Sequence, residues 1–196
     1  MAKINLNDVQ KLREQTGVGV MDAKKALEAS GGDLAEAIKA MREAGQKIAE
    51  KKQDRQTHAG TIGVYLHSNK KILAAVVVAC ETDFVERTAV FQELAHELAM
   101  QVAAANPKYI SAEGLSTEVI KAETEIAKAQ AEKAGRPAKV IDEIIKGKLA
   151  KFAEEYCLMQ QKFFKDDKLT VAMVVQAAVQ KLGENIQIRE FIRLTI

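Results

Sequence analysis

The chain has 196 residues, 47% of them hydrophobic, with 29 Lys and Arg against 27 Asp and Glu and a formal net charge of +2. That much apolar material excludes a disordered chain, and the near-balance of charge, with 5% aromatics and no Trp, argues against a dominant phosphate-binding surface or a base-stacking platform. Cys80 and Cys157 lie far apart and three histidines are scattered, so neither a disulfide framework nor a metal-ligand cluster is expected, and no cofactor.

The N-terminus, M-A-K-I-N-L-N-D-V-Q, lacks the apolar core of a secretory signal. The longest apolar run, Ile72 to Cys80, is far short of the roughly 20 residues a membrane-spanning helix needs. A cytoplasmic protein without membrane contact is the expectation.

Residues 1–45 read as three short helices. Asn7 can cap the first, D-V-Q-K-L-R-E-Q, which sets Val9 and Leu12 on one face. T-G-V-G breaks it, since glycine tolerates positive φ. A second helix, M-D-A-K-K-A-L-E-A, ends at S-G-G-D, and Asp33 caps a third with Leu34, Ala37, Ile38 and Met41 at helical spacing. Residues 46–60 are charged and nearly free of large apolar groups, and read as a linker, helical at most at its start.

From residue 61 the period becomes two. T-I-G-V-Y-L-H and K-I-L-A-A-V-V-V-A-C flank S-N-K, a hairpin signal, and the second run is apolar enough for a strand buried on both faces. A helix from Thr88 to Ala105 carries Phe91, Leu94, Leu98 and Val102 on one face and stops at Asn106-Pro107. Residues 116–134 and 138–156, joined by A-G-R-P, form an αα-hairpin. In the tail, K-F-F is a short strand, D-D-K a turn, Thr170 to Leu182 a helix ended by Gly183, and N-I-Q-I-R-E-F-I-R-L a final strand that pairs with the hairpin. The sum is a helix-dominated α+β fold with a small antiparallel sheet of about three strands; 61–196 is the core domain and includes the αα-hairpin 116–156.

Reactive constellations are lacking. His58, His67 and His96 fall in different elements, no nucleophile elbow or Walker-type loop occurs, and Cys80 ends a strand as an inert core thiol would. No catalytic residue is named; a binding protein is favoured over an enzyme. At the strand–helix junction, C-E-T-D-F-V (80–85) has two readings: Thr82 or Asp83 caps the coming helix while Phe84 staples onto its first turn, or the ring points outward to reach a partner.

Several stretches are recognisable. L-R-E-Q-T-G-V-G-V-M-D-A-K-K-A-L (12–27) closely resembles the N-terminal signature of the bacterial elongation factor Ts family, and C-E-T-D-F-V resembles its second signature. K-L-G-E-N-I-Q-I-R (181–189) and N-P-K-Y-I (106–110) resemble further shared stretches, in the family's order, and the length is that of the short, single-core-module form. The resemblance implies an N-terminal ubiquitin-associated-like three-helix domain, an α+β core, and nucleotide exchange on the GTPase elongation factor Tu, without covalent chemistry.

It also implies contact residues. Phe84 of T-D-F-V would be a wedge that disturbs the GTPase's Mg²⁺ and phosphate site, with Thr82, Asp83 and Val85 beside it. Arg13, Val20, Met21 and Lys24 match positions that dock on the GTPase; Val20 and Met21 read equally as bundle core, and Arg13 and Lys24 as solvated surface. His67 in G-V-Y-L-H and Leu182-Gly183 in K-L-G-E-N match contacts made, in longer members, by the other half of the chain. A single-module chain would supply them from a second copy, which implies a homodimer and a 2:2 complex, with no direct nucleic-acid contact. Val77, Ala79, Glu86 and Lys162 depart from the family's usual residues. Two other readings are a ubiquitin-associated-like adaptor, which leaves T-D-F-V unexplained, and an RNA-binding protein, which the charge balance disfavours.

Overall fold

The computed structural model describes residues 4–135 and 137–196. The N-terminal helices are α1 (Leu6–Thr16), α2 (Val20–Ala29) and α3 (Leu34–Lys52). They enclose a small core of Val9, Leu12, Val18, Ala23, Leu27 and Ala37, in keeping with the expected three-helix domain. The first cap is Asn5, not Asn7: Asn5 holds extended backbone and its side-chain oxygen accepts from the Asn7 amide at 3.1 Å, so the helix begins two residues earlier. In T-G-V-G only Gly17 takes the left-handed conformation, φ 69°, as the cap of α1; Gly19 is extended at φ −66°. Asp33 caps α3 as expected, its carboxylate accepting from Ala35 and Glu36 amides at 2.8 and 3.0 Å.

α3 does not stop near residue 45 but continues to Lys52. The residues beyond 45 are mostly good helix formers, Gln46 donates to Glu50 at 3.1 Å, and Gly45 is buried where α3 meets a later helix.

The sheet is three-stranded and antiparallel, in the order β1 (Ala59–Leu66), β2 (Ile72–Cys80), β5 (Gln187–Thr195). β1 and β2 form the expected hairpin, with Leu66 opposite Leu73 at the turn and Ala59 opposite Cys80 at the far end. β5 adds to the free side of β2, with a register shift between Val77 and Val78. Across one face runs α5 (Ala89–Ala105), capped by Thr88 and stopped at Asn106, whose φ of 48° is left-handed. Phe91, Leu94, Leu98 and Val102 of α5 interleave with Ala74, Val76, Val78 and Cys80 of β2 in the main core.

The other face of the sheet is open among the described residues. Ala74, Val76 and Val78 are fully buried, whereas Ala75 and Val77 are only half-buried. β2 is therefore not buried on both faces within one chain: a single helix layer covers one side only.

The αα-hairpin is present as α6 (Thr117–Lys133) and α7 (Ala138–Tyr156), with Ala127, Ala131 and Ala153 buried between them. At its base the Tyr156 carbonyl accepts from the Lys108 and Tyr109 amides at 2.8 and 3.0 Å. Of the joining A-G-R-P, Arg136 lies outside the described residues. In the tail β3 (Lys162–Phe163) pairs with β4 (Asp166–Thr170). Asp166 and Asp167 thus lie in a strand, and the reversal falls on Phe164 and Lys165 instead of D-D-K. α8 (Val171–Leu182) follows, capped by the Thr170 hydroxyl and ended by Gly183 at φ 76°. α3 packs on α8 so closely at Gly45 that an added Cβ would lie 2.6 Å from Gln180 Oε1.

Candidate functional site

At the end of β2 the chain turns into a four-residue helix, α4 (Asp83–Glu86). Thr82 is its cap: extended at φ −129°, its hydroxyl accepts from the Val85 amide at 3.5 Å. Phe84 is not the staple. Its ring is 80% exposed, and Val85 is the residue that packs back against the main core. Asp83 is also exposed and pairs with Arg87 Nη2 at 2.9 Å, one turn on. A large apolar ring beside a carboxylate therefore projects from the surface, and the outward reading of C-E-T-D-F-V is the one the fold adopts.

The turn is held from behind by K-L-G-E-N. Glu184 Oε2 accepts the Glu81 and Thr82 amides, each at 3.0 Å, and its Oε1 accepts the Thr82 hydroxyl at 2.6 Å. In return Glu81 Oε1 accepts the Asn185 amide at 2.7 Å and lies 3.5 Å from Arg55 Nη1. The buried Asn185 side chain then donates to the Gln53 and Arg55 carbonyls at 3.1 and 2.8 Å, and Arg189 Nη2 donates to the Thr57 hydroxyl at 2.6 Å. Residues 53–57, which join α3 to β1, are thereby strapped to the start of β5. Leu182 and Gly183 stand immediately before Glu184, so they share a corner with T-D-F-V in the same chain. Lys52 donates to the Gly183 carbonyl, tying in the end of α3 as well.

Val20 and Met21 are not bundle core. Both are exposed, Met21 at 63%, as are Arg13 and Lys24. Arg13 and Val20 line a shallow groove with Val9, Gln10 and Leu6, the last 82% exposed. Lys24 reaches toward Glu28 at 3.9 Å on its own helix. The loop before Val20 borders the K-L-G-E-N corner: a side-chain carbon at Gly17 would lie 3.5 Å from Lys181 Cδ.

His67 is elsewhere. It sits at the hairpin turn, with its Nδ1 2.9 Å from the Tyr65 hydroxyl. β2 spans eight residue steps from that end to Cys80, roughly 27 Å of strand at about 3.4 Å per residue. One chain therefore gathers T-D-F-V, Leu182 and Gly183 at one corner and leaves His67 at the opposite end of the sheet. Glu86, a departure from the family pattern, turns its carboxylate inward to accept from the Gly60 amide at 3.3 Å.

Sequence reasoning missed Leu6, Glu184, Asn185 and Arg55. Leu6 resembles an ordinary helix-face residue, and only its 82% exposure in the fold sets it apart. The Glu81–Glu184 exchange spans about a hundred residues, and nothing local to either stretch announces its partner.

Among the described residues no helix is long and apolar enough to cross a membrane, and no group of three or more His, Cys, Asp or Glu lies together to hold a metal ion.

The family model described as elongation factor TS matches residues 6–196. An elongation factor Ts of Solibacter usitatus is 44% identical over 196 residues, covering 100% of this chain and 92% of the relative. One of Anaeromyxobacter dehalogenans is 48% identical, covering 100% and 90%. One of Pseudothermotoga lettingae is 44% identical over 194 residues, covering 99% and 98%. With signature stretches, fold and full-length relatives in agreement, the chain belongs to the elongation factor Ts family, whose role is nucleotide exchange on elongation factor Tu in translation.

Proposed function

We propose that this chain releases GDP from elongation factor Tu by inserting the Phe84 ring between elements of the GTPase that support its Mg²⁺ and phosphate site. The observation that carries the reading is the 80% exposure of Phe84 on a turn whose backbone is held by hydrogen bonds. Mg²⁺ demands near-ideal octahedral geometry, so a small displacement of its surroundings is costly. Burying one Phe is worth roughly 1.5–3 kcal/mol, and each tenfold loss of nucleotide affinity needs about 1.4 kcal/mol. The ring alone supplies one to two decades. Asp83, Thr82 and Val85 frame the contact, Val85 as the foot of the turn.

The helices α1, α2 and α3 act as a docking module, through the exposed patch of Arg13, Val20, Met21 and Lys24, extended by Leu6. Leu182 and Gly183 contribute to the corner around Phe84. His67, at the other end of the sheet, meets a GTPase from a second copy of the chain. The open sheet face supports such a homodimer: Ile62, Val64 and Leu66 on β1 and Ile192 and Leu194 on β5 are all exposed on it. An apolar face of this kind usually marks an interaction surface.

Elongation factor Tu loaded with a fluorescent GDP analogue tests the wedge. The unmodified protein in trace amounts accelerates release, and Phe84→Ala slows the catalysed rate by about 10- to 100-fold, the one to two decades above. Catalysed release that Phe84→Ala leaves untouched would sink the reading.

A further inference from the structure

We propose that Glu184 is a positioning residue of the exchange reaction, which acts on the GTPase only through the orientation it gives to Phe84; the proposal rests on the wedge reading above. A ring as exposed as Phe84 takes no direction from packing. Its helix is four residues long, too short to be rigid by itself, and none of those residues is fully buried. Val85 packs on the core and sets which side of the turn faces out; the finer aim of the ring comes from the backbone at the entry to the turn. There a single carboxylate takes two consecutive amides, of Glu81 and Thr82, and the Thr82 hydroxyl. The same hydroxyl accepts from the Val85 amide, so Glu184 also fixes the rotamer of the cap.

The exit is held separately. The Thr88 hydroxyl donates to the Val85 carbonyl at 2.7 Å and Gln92 Nε2 to the Glu86 carbonyl at 2.8 Å. Without Glu184 the turn stays attached at its exit, while its entry keeps only the weak bond from the Cys80 thiol to the Thr82 carbonyl and loosens. Bonds to an ionised acceptor are about twice as strong as neutral ones, and the reciprocal bond from the Asn185 amide to Glu81 closes the arrangement into a ring. The K-L-G-E-N stretch thus aims the wedge as well as standing beside it. A wedge misaimed by about 1 Å forfeits up to about a hundredfold in rate, and a loosened one, right part of the time, loses less.

Steady-state exchange on elongation factor Tu·GDP, with kcat and KM separated, tests this with E184A, E184Q, F84A and the double variant F84A/E184A. E184A is expected to lower kcat about tenfold with KM within about twofold. E184Q keeps an oxygen for the two amides but loses the charge, so its kcat lies between those of the unmodified protein and E184A. F84A/E184A is no slower than F84A, because the two act as one unit. A thermal melt accompanies each variant; should E184A not fold, a kcat for E184Q between those of the unmodified protein and F84A supports the proposal, and an unmodified kcat overturns it. E184A at the unmodified rate while F84A is slow overturns the positioning role and leaves the wedge standing. A rise in KM alone, or additive losses in the double variant, overturns it too, since Glu184 would then touch the partner itself. F84A at the unmodified rate removes the wedge and this proposal with it.

Discussion

The Cys80 thiol, fully buried at the end of β2, donates to the Thr82 carbonyl at 3.2 Å and lies directly behind the exposed turn. Burial pushes its pKa from 9.0 up to about 11, with the Glu184 and Glu86 carboxylates adding to the effect. The folded thiol keeps its proton up to that value, while the unfolded one gives it up near 9.0. Between the two the unfolded state binds fewer protons, so stability is whole below pH 9 and declines as pH rises toward 11. Thermal melts across that range should fall more steeply for the unmodified protein than for Cys80→Ala; parallel slopes would show that the thiol contributes nothing. The inert character of this cysteine was legible in the sequence, because the run before it is apolar. The direction of Phe84 was not, since a staple and a wedge are spelled alike. In the fold Val85, one residue on, takes the place against the core, and Phe84 is left outside. Asn5 and Asn7 were likewise equivalent as letters, and only the extended backbone at Asn5 separates them.

Among the elements, the packing of α5 on the sheet hinges on one close approach. A Cβ at Gly63 would lie 2.0 Å from the Ala95 carbonyl oxygen, a backbone atom that cannot rotate away. Gly63→Ala therefore pushes β1 and α5 apart and loosens the layer that buries Phe91 and Leu98. Overpacking of this kind costs about 1–3 kcal/mol, and with a backbone atom as the obstacle the upper end applies. In a chain of this size that is roughly 6–12 °C in melting temperature, read by circular dichroism; an unchanged melt would mean that the strand shifts freely. Such a contact cannot be read from a lone Gly in an alternating strand. The elements themselves could be: α5 with its stop, the hairpin, and both helices of 117–156 follow from period and punctuation, but the cap of α5 is Thr88, and Thr82 caps the short α4 instead of that helix. α3 runs past residue 45 because the Ala, Glu, Lys and Gln that spell a charged linker favour helix equally well. D-D-K spells a turn yet lies in β4, and the turn before it, at Phe164 and Lys165, is hard to read because it lacks the usual turn residues.

At the scale of the molecule, the sheet has one covered and, among the described residues, one bare side, and the proposed homodimer would cover the bare one. Its outward residues are Ile62, Val64 and Leu66 beside Leu73, Ala75 and Val77, then Ile192 and Leu194, with Glu190 the charged member of the row on β5. Alternation showed in the sequence for β5 and partly for β1, but the period says only that two faces differ; it does not say which has a lid. A second copy on this face buries each residue twice, once per protomer, and a two-fold axis makes the patch its own complement. It would also bring a second sheet, and so a second His67, into an assembly whose Phe84 corners stay free at the far ends. Val64→Glu places two carboxylates in that interface. Each protomer loses the burial of one side chain, about 1.5–3 kcal/mol, or about 3–6 kcal/mol for the pair, which weakens association by roughly two to four decades before repulsion is counted. Sedimentation at micromolar concentration should give a dimer for the unmodified chain and a monomer for Val64→Glu, with an unchanged melt for the isolated fold at high dilution. A monomeric unmodified chain would mean that the face serves something other than a second copy, and that His67 reaches no GTPase by this route.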